Sequence, residues 1–113
     1  IDELNSQLGN AITVCKAETI VSDLQLIQQD LFNLGGEISV QSSDNMLISE
    51  VRIEFLEKRI DEYNQTLKPL KEFILPGGDE FCSRIHIARS VCRRAERSCV
   101  EIIDKINSSL NNQ

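Results

Sequence analysis

Residues 76–106 read PGGDEFCSRIHIARSVCRRAERSCVEIIDKI. Pro76-Gly77-Gly78 punctuates the chain, and Asp79 follows as a good N-cap, its carboxylate placed to accept an orphan backbone N–H of a first helical turn. Ile85, Ala88, Cys92, Cys99 and Ile103 then recur at helical spacing, which predicts a helix over 79–106 with those five residues as its core face. An element of this length, in a chain without a useful run of strand alternation, makes the fold all-α.

Working outward, Leu4, Leu8, Ala11, Ile12 and Cys15 predict a first helix over 1–16. Ser22 and Gln25 have capping-box spacing, with Val21 and Leu26 as a hydrophobic staple. Leu24, Ile27, Leu31 and Leu34 form the stripe of a second helix, which Gly35-Gly36 is expected to end because glycine takes the left-handed terminal conformation without a Cβ clash. After a polar linker at 37–43, a third helix is expected over 44–67, with Val51, Phe55, Ile60, Tyr63 and Leu67 inward, and Pro69 stopping it. Residues 68–78 are an apolar connection. There is no internal repeat. Four helices joined by short connections suit an antiparallel, up-and-down helical bundle, and 113 residues suit one domain, 1–113.

The chain carries 12 Lys+Arg against 18 Asp+Glu, a net charge of -6. That field does not attract polyanions, so neither nucleic acid nor an anionic membrane is an expected partner. No apolar run approaches the roughly 18 residues of a membrane span, and no signal peptide is evident. Cys15, Cys82, Cys92 and Cys99 form neither a CxxC pair nor a Cys/His ligand set. They read as small buried residues in a reducing compartment. The start at Ile1, inside a helical pattern, and the polar end Asn111-Asn112-Gln113 read as part of a longer product.

Against this acidic background, five of the twelve basic residues (Arg84, Arg89, Arg93, Arg94, Arg97) fall within fourteen positions. At about 100° per residue, Arg89, Arg93 and Glu96 share one sector, with His86 at its edge, Arg97 flanking it and Arg94 pointing elsewhere. One reading is a solvated face with ion pairs such as Arg93–Glu96. The other is a polyphosphate site, where forked guanidinium donors meet phosphate oxygens and Glu96 orients an arginine or a hydrated metal. Arginines outnumber the acids on this helix, so partners must come from another helix, another subunit or a ligand. His86 reads as a structural histidine, without a second His for a metal site. Gly77-Gly78 reads as a tight turn, without a Walker-type Gly-Lys-Ser/Thr. No Ser/His/Asp or Cys/His arrangement points to covalent catalysis.

Four blocks, taken together, are more specific: Asp2-Glu3-Leu4-Asn5-Ser6 with Leu8-Gly9; the run from Ile27 through Gln28-Gln29-Asp30-Leu31-Phe32-Asn33-Leu34 to Gly35; Leu56-Glu57 through Ile60-Asp61 to Leu67; and Phe73-Ile74-Leu75-Pro76-Gly77-Gly78 followed by His86-Ile87-Ala88-Arg89 and Arg93-Arg94-Ala95-Glu96-Arg97. In order and spacing the chain resembles the PduO-type ATP:cob(I)alamin adenosyltransferases. The resemblance implies a five-helix bundle that assembles as a homotrimer with active sites between subunits. It implies transfer of the 5'-deoxyadenosyl group of ATP to the cobalt of cob(I)alamin, giving adenosylcobalamin and triphosphate, with ATP, Mg2+ and cobalamin bound. It assigns Arg93 and Arg97 to the polyphosphate and Glu96 to orienting it. Arg89 matches an arginine that pairs across the interface with an aspartate, at whose place Asp2 stands. Phe73 matches an aromatic residue on the corrinoid that excludes its lower axial ligand. A flavin reductase, an adenosylcobalamin-dependent enzyme and an intracellular reducing compartment, bacterial cytoplasm or mitochondrial matrix, are implied as well. Asn33 stands where the family usually has aspartate, and Gly36 where it has alanine. The family's N-terminal Thr-Gly-Asp-x-Gly loop and its fifth helix would precede Ile1 and follow Gln113. The alternative function is a non-catalytic helical module that binds corrinoid, nucleotide or a protein partner.

Overall fold

In the computed structural model, residues 1–39, 50–67 and 77–111 are described, and the statements that follow concern these. They form α1 (Asp2–Ile12), α2 (Glu18–Ser39), α3 (Glu50–Asn64) and α4 (Glu80–Asn111), with no strand among the described residues. Cross-helix contacts set the directions. Asn5 of α1 bonds Gln28 of α2, while Ile1 reaches Gly35, so these two run antiparallel. Asp30 and Asp23 of α2 meet Arg52 and Arg59 of α3 in reversed order, and Glu3 and Asn10 of α1 meet Arg94 and Arg84 of α4 likewise. The expected up-and-down helical bundle is what forms.

The core lies where α1 crosses α4. Leu4, Leu8 and Ala11, spaced i, i+4, i+7, are buried; Leu4 and Leu8 cluster with Ala88, and Leu24, Ile27, Leu31, Ile85 and Val91 close around these three. Gly9, on the α2 side of α1, lets the Gln28 side chain approach, so that Gln28 Nε2 donates to Asn5 O (3.3 Å) while Asn5 Nδ2 donates to Gln28 O (3.1 Å). The start of α4 follows the sequence reading. Gly77 and Gly78 take φ of 150° and 112°, which disfavour side-chain-bearing residues, and Asp79 Oδ1 accepts the Cys82 backbone N–H at 2.7 Å. That N–H holds the Asp79 carboxyl below its ordinary pKa.

Five boundaries depart from expectation. α1 ends at Ile12, not near residue 16, because Thr13 Oγ1 turns back onto Asn10 O (2.7 Å) and the chain leaves in a turn. α2 begins at Glu18, before the supposed capping box: Val21 N–H already bonds Ala17 O, so Ser22 and Gln25 are mid-helix and Leu26 is exposed instead of stapled. Gly35-Gly36 does not end α2, which runs on to Ser39. Glycine permits a left-handed stop but does not impose one, and a glycine within a helix costs only about 1 kcal/mol relative to alanine. At the far end α4 continues to Asn111, beyond Ile106. α3 ends at Asn64, not at Leu67, and 65–67 form a turn in which Thr66 and Leu67 N–H bond Tyr63 and Asn64 carbonyls. The expected start of the third helix and Pro69 lie outside the described residues.

The inward faces also differ. Val51, Ile60 and Leu67 are exposed, with Phe55 and Tyr63 half-buried, and α3 has no buried residue. α3 is instead tethered to α2 by charge. Arg52 grips Asp30 with Nε and Nη2, both at 2.9 Å, and stacks over Phe55. Arg59 donates Nε (3.0 Å) and Nη2 (2.8 Å) to Asp23, stacks on Tyr63 and pairs with Glu62, while the Tyr63 hydroxyl donates to Asp23 at 2.5 Å. On α4 the seam follows Ile85, Ala88, Val91 and Ala95, leaving Cys92, Cys99 and Ile103 exposed. Cys82 is exposed too and Cys15 only half-buried, so the expectation of buried cysteines fails, although all four are free thiols.

Burial pushes the Asp23 carboxyl up, but the Tyr63 and Arg59 hydrogen bonds and the Arg59 charge outweigh it and hold the group below its ordinary value. A carboxylate with a depressed folded pKa contributes stability that is complete above its unfolded pKa and is lost as pH falls through the folded one. Urea unfolding should therefore weaken from the ordinary aspartate range downward, and Asp23→Asn should flatten that acid limb. Tyr63→Phe should cost about 1 kcal/mol at neutral pH, one hydrogen bond's worth.

Candidate functional site

The five clustered arginines of α4 divide by what they touch. Arg84 faces α1, where Nη1 donates to Asn10 O (3.0 Å), Asn10 Oδ1 (2.9 Å) and Thr13 Oγ1 (3.0 Å), while Nη2 meets Glu80. Arg94 also faces α1, in an ion pair with Glu3. Both are spent on holding α1. Arg89 donates Nε to His86 Nδ1 at 3.3 Å, which leaves its terminal nitrogens available.

Arg93 and Arg97 remain. With Glu96, Val100 and Glu101 they line a shallow, open hollow of about 380 Å³. The three charged residues of the sequence reading thus lie together, but the expected Arg93–Glu96 ion pair does not form. Arg93, Glu96 and Arg97 make no hydrogen bond or ion pair with any described residue. Like charges at i, i+4 destabilise a helix, so two exposed arginines one turn apart gain nothing within the described structure. An anion bridging them would receive forked donors from both. Arg89 does not line the hollow, although periodicity placed it in the same sector. Arg97, expected only to flank the sector, does line it. Helical angle locates a Cβ, whereas a guanidinium some 6 Å further out follows its own partner.

Asp2 sits at the exposed start of α1, with no ion pair among the described residues. It borders a groove of about 520 Å³ between α1 and α2, lined also by Asn5, Ser6, Gln25, Gln28, Gln29 and Phe32. No described contact joins Asp2 to Arg89 within the chain. Phe73 lies outside the described residues. Sequence reasoning did not single out Phe32, 72% exposed, or Glu101 as site residues. Phe32 was visible as an aromatic off the Leu24–Ile27–Leu31 stripe, and Glu101 as the acid four residues after Arg97. Among the described residues no group of three or more His, Cys, Asp or Glu is arranged to hold a metal ion by itself, and no helix is long and apolar enough to cross a membrane.

The family model for cobalamin adenosyltransferase matches residues 1–113. The chain is 40% identical over 108 residues to a corrinoid adenosyltransferase of Bacillus subtilis, an overlap of 91% of this chain and 56% of that protein. It is 43% identical over 103 residues to a cobalamin adenosyltransferase of Cupriavidus metallidurans, covering 90% and 55%. The chain thus spans about half the length of these curated relatives. Among solved structures, a variant PduO-type ATP:corrinoid adenosyltransferase from Lactobacillus reuteri, complexed with cobalamin and ATP, superposes with a TM-score of 0.80 at 34% identity, covering 90% of this chain and 60% of that one.

If the hollow is an anion site, inorganic triphosphate should bind the full-length protein in calorimetry, and more weakly as salt rises. Arg93→Ala should weaken it roughly tenfold or more, as expected for loss of a charge-assisted contact of about 1.5–3 kcal/mol. Arg84→Ala, whose guanidinium is occupied by α1, should not.

Proposed function

The chain belongs to the cobalamin adenosyltransferase family, and on that premise we propose that the protein containing it transfers the 5'-deoxyadenosyl group of ATP to the cobalt of cob(I)alamin. The observation that carries this reading is the hollow where Arg93 and Arg97, with no ion pair among the described residues, stand beside Glu96 and Glu101. In the reaction the Co(I) lone pair attacks C5' of ATP. A Co–C bond forms, the C5'–O bond breaks, and triphosphate leaves with the bonding electrons. The corrinoid is itself the nucleophile, so an activated Ser, Cys or Lys is not needed.

Negative charge grows on the departing triphosphate, and we read Arg93 and Arg97, which line the hollow, as the residues that meet it. A preorganised donor aimed at developing charge is worth about 2.7–4 kcal/mol in a water-poor site, a condition this open hollow would meet only once a neighbouring subunit covers it. Mg2+ fits this hollow: it binds through one or two carboxylates plus substrate phosphates, and Glu96 and Glu101 both border the space. When bound it would neutralise part of the phosphate charge.

Arg89 and Asp2 are both exposed and are not joined within the chain, which supports a pairing between subunits and, with it, a homotrimer with shared sites. The second half of α4 supports association too. Val100, Ile102, Ile103, Ile106 and Leu110 are each about half exposed or more, from 49% to 61%, a run too long for scattered surface residues. Phe73 is assigned to the corrinoid by its place in the sequence motif. Free thiols at all four cysteines and a Co(I) substrate suit a reducing intracellular compartment. A flavin reductase would supply the electrons, and an adenosylcobalamin-dependent enzyme would take the product.

The test is the corrinoid absorption spectrum of the full-length protein with ATP, Mg2+ and a reductant. Adenosylcobalamin should accumulate, and Arg93→Ala should lower kcat by roughly 10²–10³ with helicity unchanged. Binding of corrinoid and ATP without product would replace the enzyme by a non-catalytic carrier. Full activity in Arg93→Ala would remove that residue from the triphosphate.

A further inference from the structure

Two arginines, ten residues apart on α4, hold the two ends of α1. Arg84 takes its C-terminal end through Asn10 and Thr13. Arg94 takes its N-terminal end through Glu3. The two grips differ in what they secure. Arg84 closes on a backbone carbonyl beside the buried Ala11. Arg94 closes on a side chain in a first turn that has no side-chain cap, Ile1 being the N-cap residue.

The Glu3–Arg94 pair is also more than half exposed on both sides, at 58% and 56%. An ion pair that open to solvent contributes little to stability. What it does fix is geometry. α1 is only 11 residues long, and its last buried side chain toward the N-terminus is Leu4. Beyond Leu4, the described side-chain bond from this turn to α4 is that of Glu3. Asp2 is the preceding residue, exposed and unpaired among the described residues. On α4, Arg94 adjoins Arg93, about 100° around the same turn. One guanidinium therefore faces α1 while its neighbour faces the hollow.

We propose that Glu3 and Arg94 are positioning residues for adenosyl transfer: their ion pair fixes the first turn of α1 on the turn of α4 that presents Arg93, and so sets where Asp2 is offered. The role rests on the reading of Asp2 as a working residue in the proposed function. It does not require either side chain to touch ATP or corrinoid.

The test uses the full-length protein and three measurements: kcat for adenosylcobalamin formation, KM for ATP, and the thermal midpoint. Glu3→Gln and Arg94→Gln should each lower kcat roughly tenfold, the scale of a sub-ångström misplacement. KM and the midpoint should stay near the unsubstituted values. The reversed pair, Glu3→Arg with Arg94→Glu, should recover most of the lost kcat. Arg84→Gln should lower the midpoint and leave kcat within about twofold, since Arg84 holds the opposite end of α1. Unchanged kcat in both single variants overturns the role, as does a loss that the reversed pair does not rescue. A kcat loss matched by a falling midpoint, or an equal loss in Arg84→Gln, overturns it as well, because general docking of α1 would then be the cause. An unsubstituted protein that forms no adenosylcobalamin overturns the proposed function and this role with it. An active protein with indifferent variants overturns this role alone.

Discussion

The described structure depends on one seam, the packing of Leu4 and Leu8 of α1 with Ala88 of α4, next to the buried Ala11. These four are the buried apolar residues among those described. Ala88 matters by being small: it lets the two helices approach closely enough for Leu4 and Leu8 to be enclosed by Leu24, Ile27, Leu31, Ile85 and Val91. Once α1 is seated, Asn5 and Gln28 lock α2 against it by reciprocal side-chain-to-backbone bonds. α3 then joins through Asp23 and Asp30, without burying a side chain of its own. Cohesion thus passes from apolar at the seam to electrostatic at the periphery. α3 is accordingly the element most exposed to acid and salt.

That gradient explains what the sequence made legible. Helix type and order followed from period, and the N-cap at Asp79 followed from a side chain whose chemistry has one local use. The inward faces were harder. Cys92, Cys99 and Ile103 are apolar at helical spacing, and so are Ile85, Val91 and Ala95; periodicity does not say which of two overlapping stripes meets a neighbour. The choice falls to small residues that permit close approach, here Ala88 and Ala95. α3 misled for the opposite reason. Its apolar residues are real, but Arg52 and Arg59 decide how it attaches, and their acids lie 22 and 36 residues away in sequence. Gly35-Gly36 and the Ser22–Gln25 spacing were local signals overruled by helix already propagating through them.

The site was more legible than the packing. Residue type and spacing grouped Arg89, Arg93 and Glu96, and the family resemblance added Arg97; of these, Arg93, Glu96 and Arg97 line one hollow. What spacing did not give was which arginines were free. Spacing already set Arg94 apart, but what engages Arg84 and Arg94 follows only from the position of Asn10, Thr13 and Glu3 in the separate α1 segment. Arg89 illustrates the remaining error. Its Cβ direction is right for the sector, but its Nε is turned toward His86.

A single helix can serve two surfaces because its period is not a whole number of residues. Arg93 and Arg94 are adjacent in sequence and about 100° apart on α4, so one grips the scaffold while the other stays available. The arrangement has a structural consequence. α4 is 32 residues long and therefore about 48 Å, whereas α1, at 11 residues, covers about 17 Å of it. Arg84 and Arg94 lie within the covered part, and Arg97, Val100 and Glu101 lie beyond Arg94, where α4 emerges from under α1. The hollow thus forms at the edge of the seam. The scaffold seats the helix just before this point and leaves its face uncovered, so Arg93 and Arg97 stay open to a ligand.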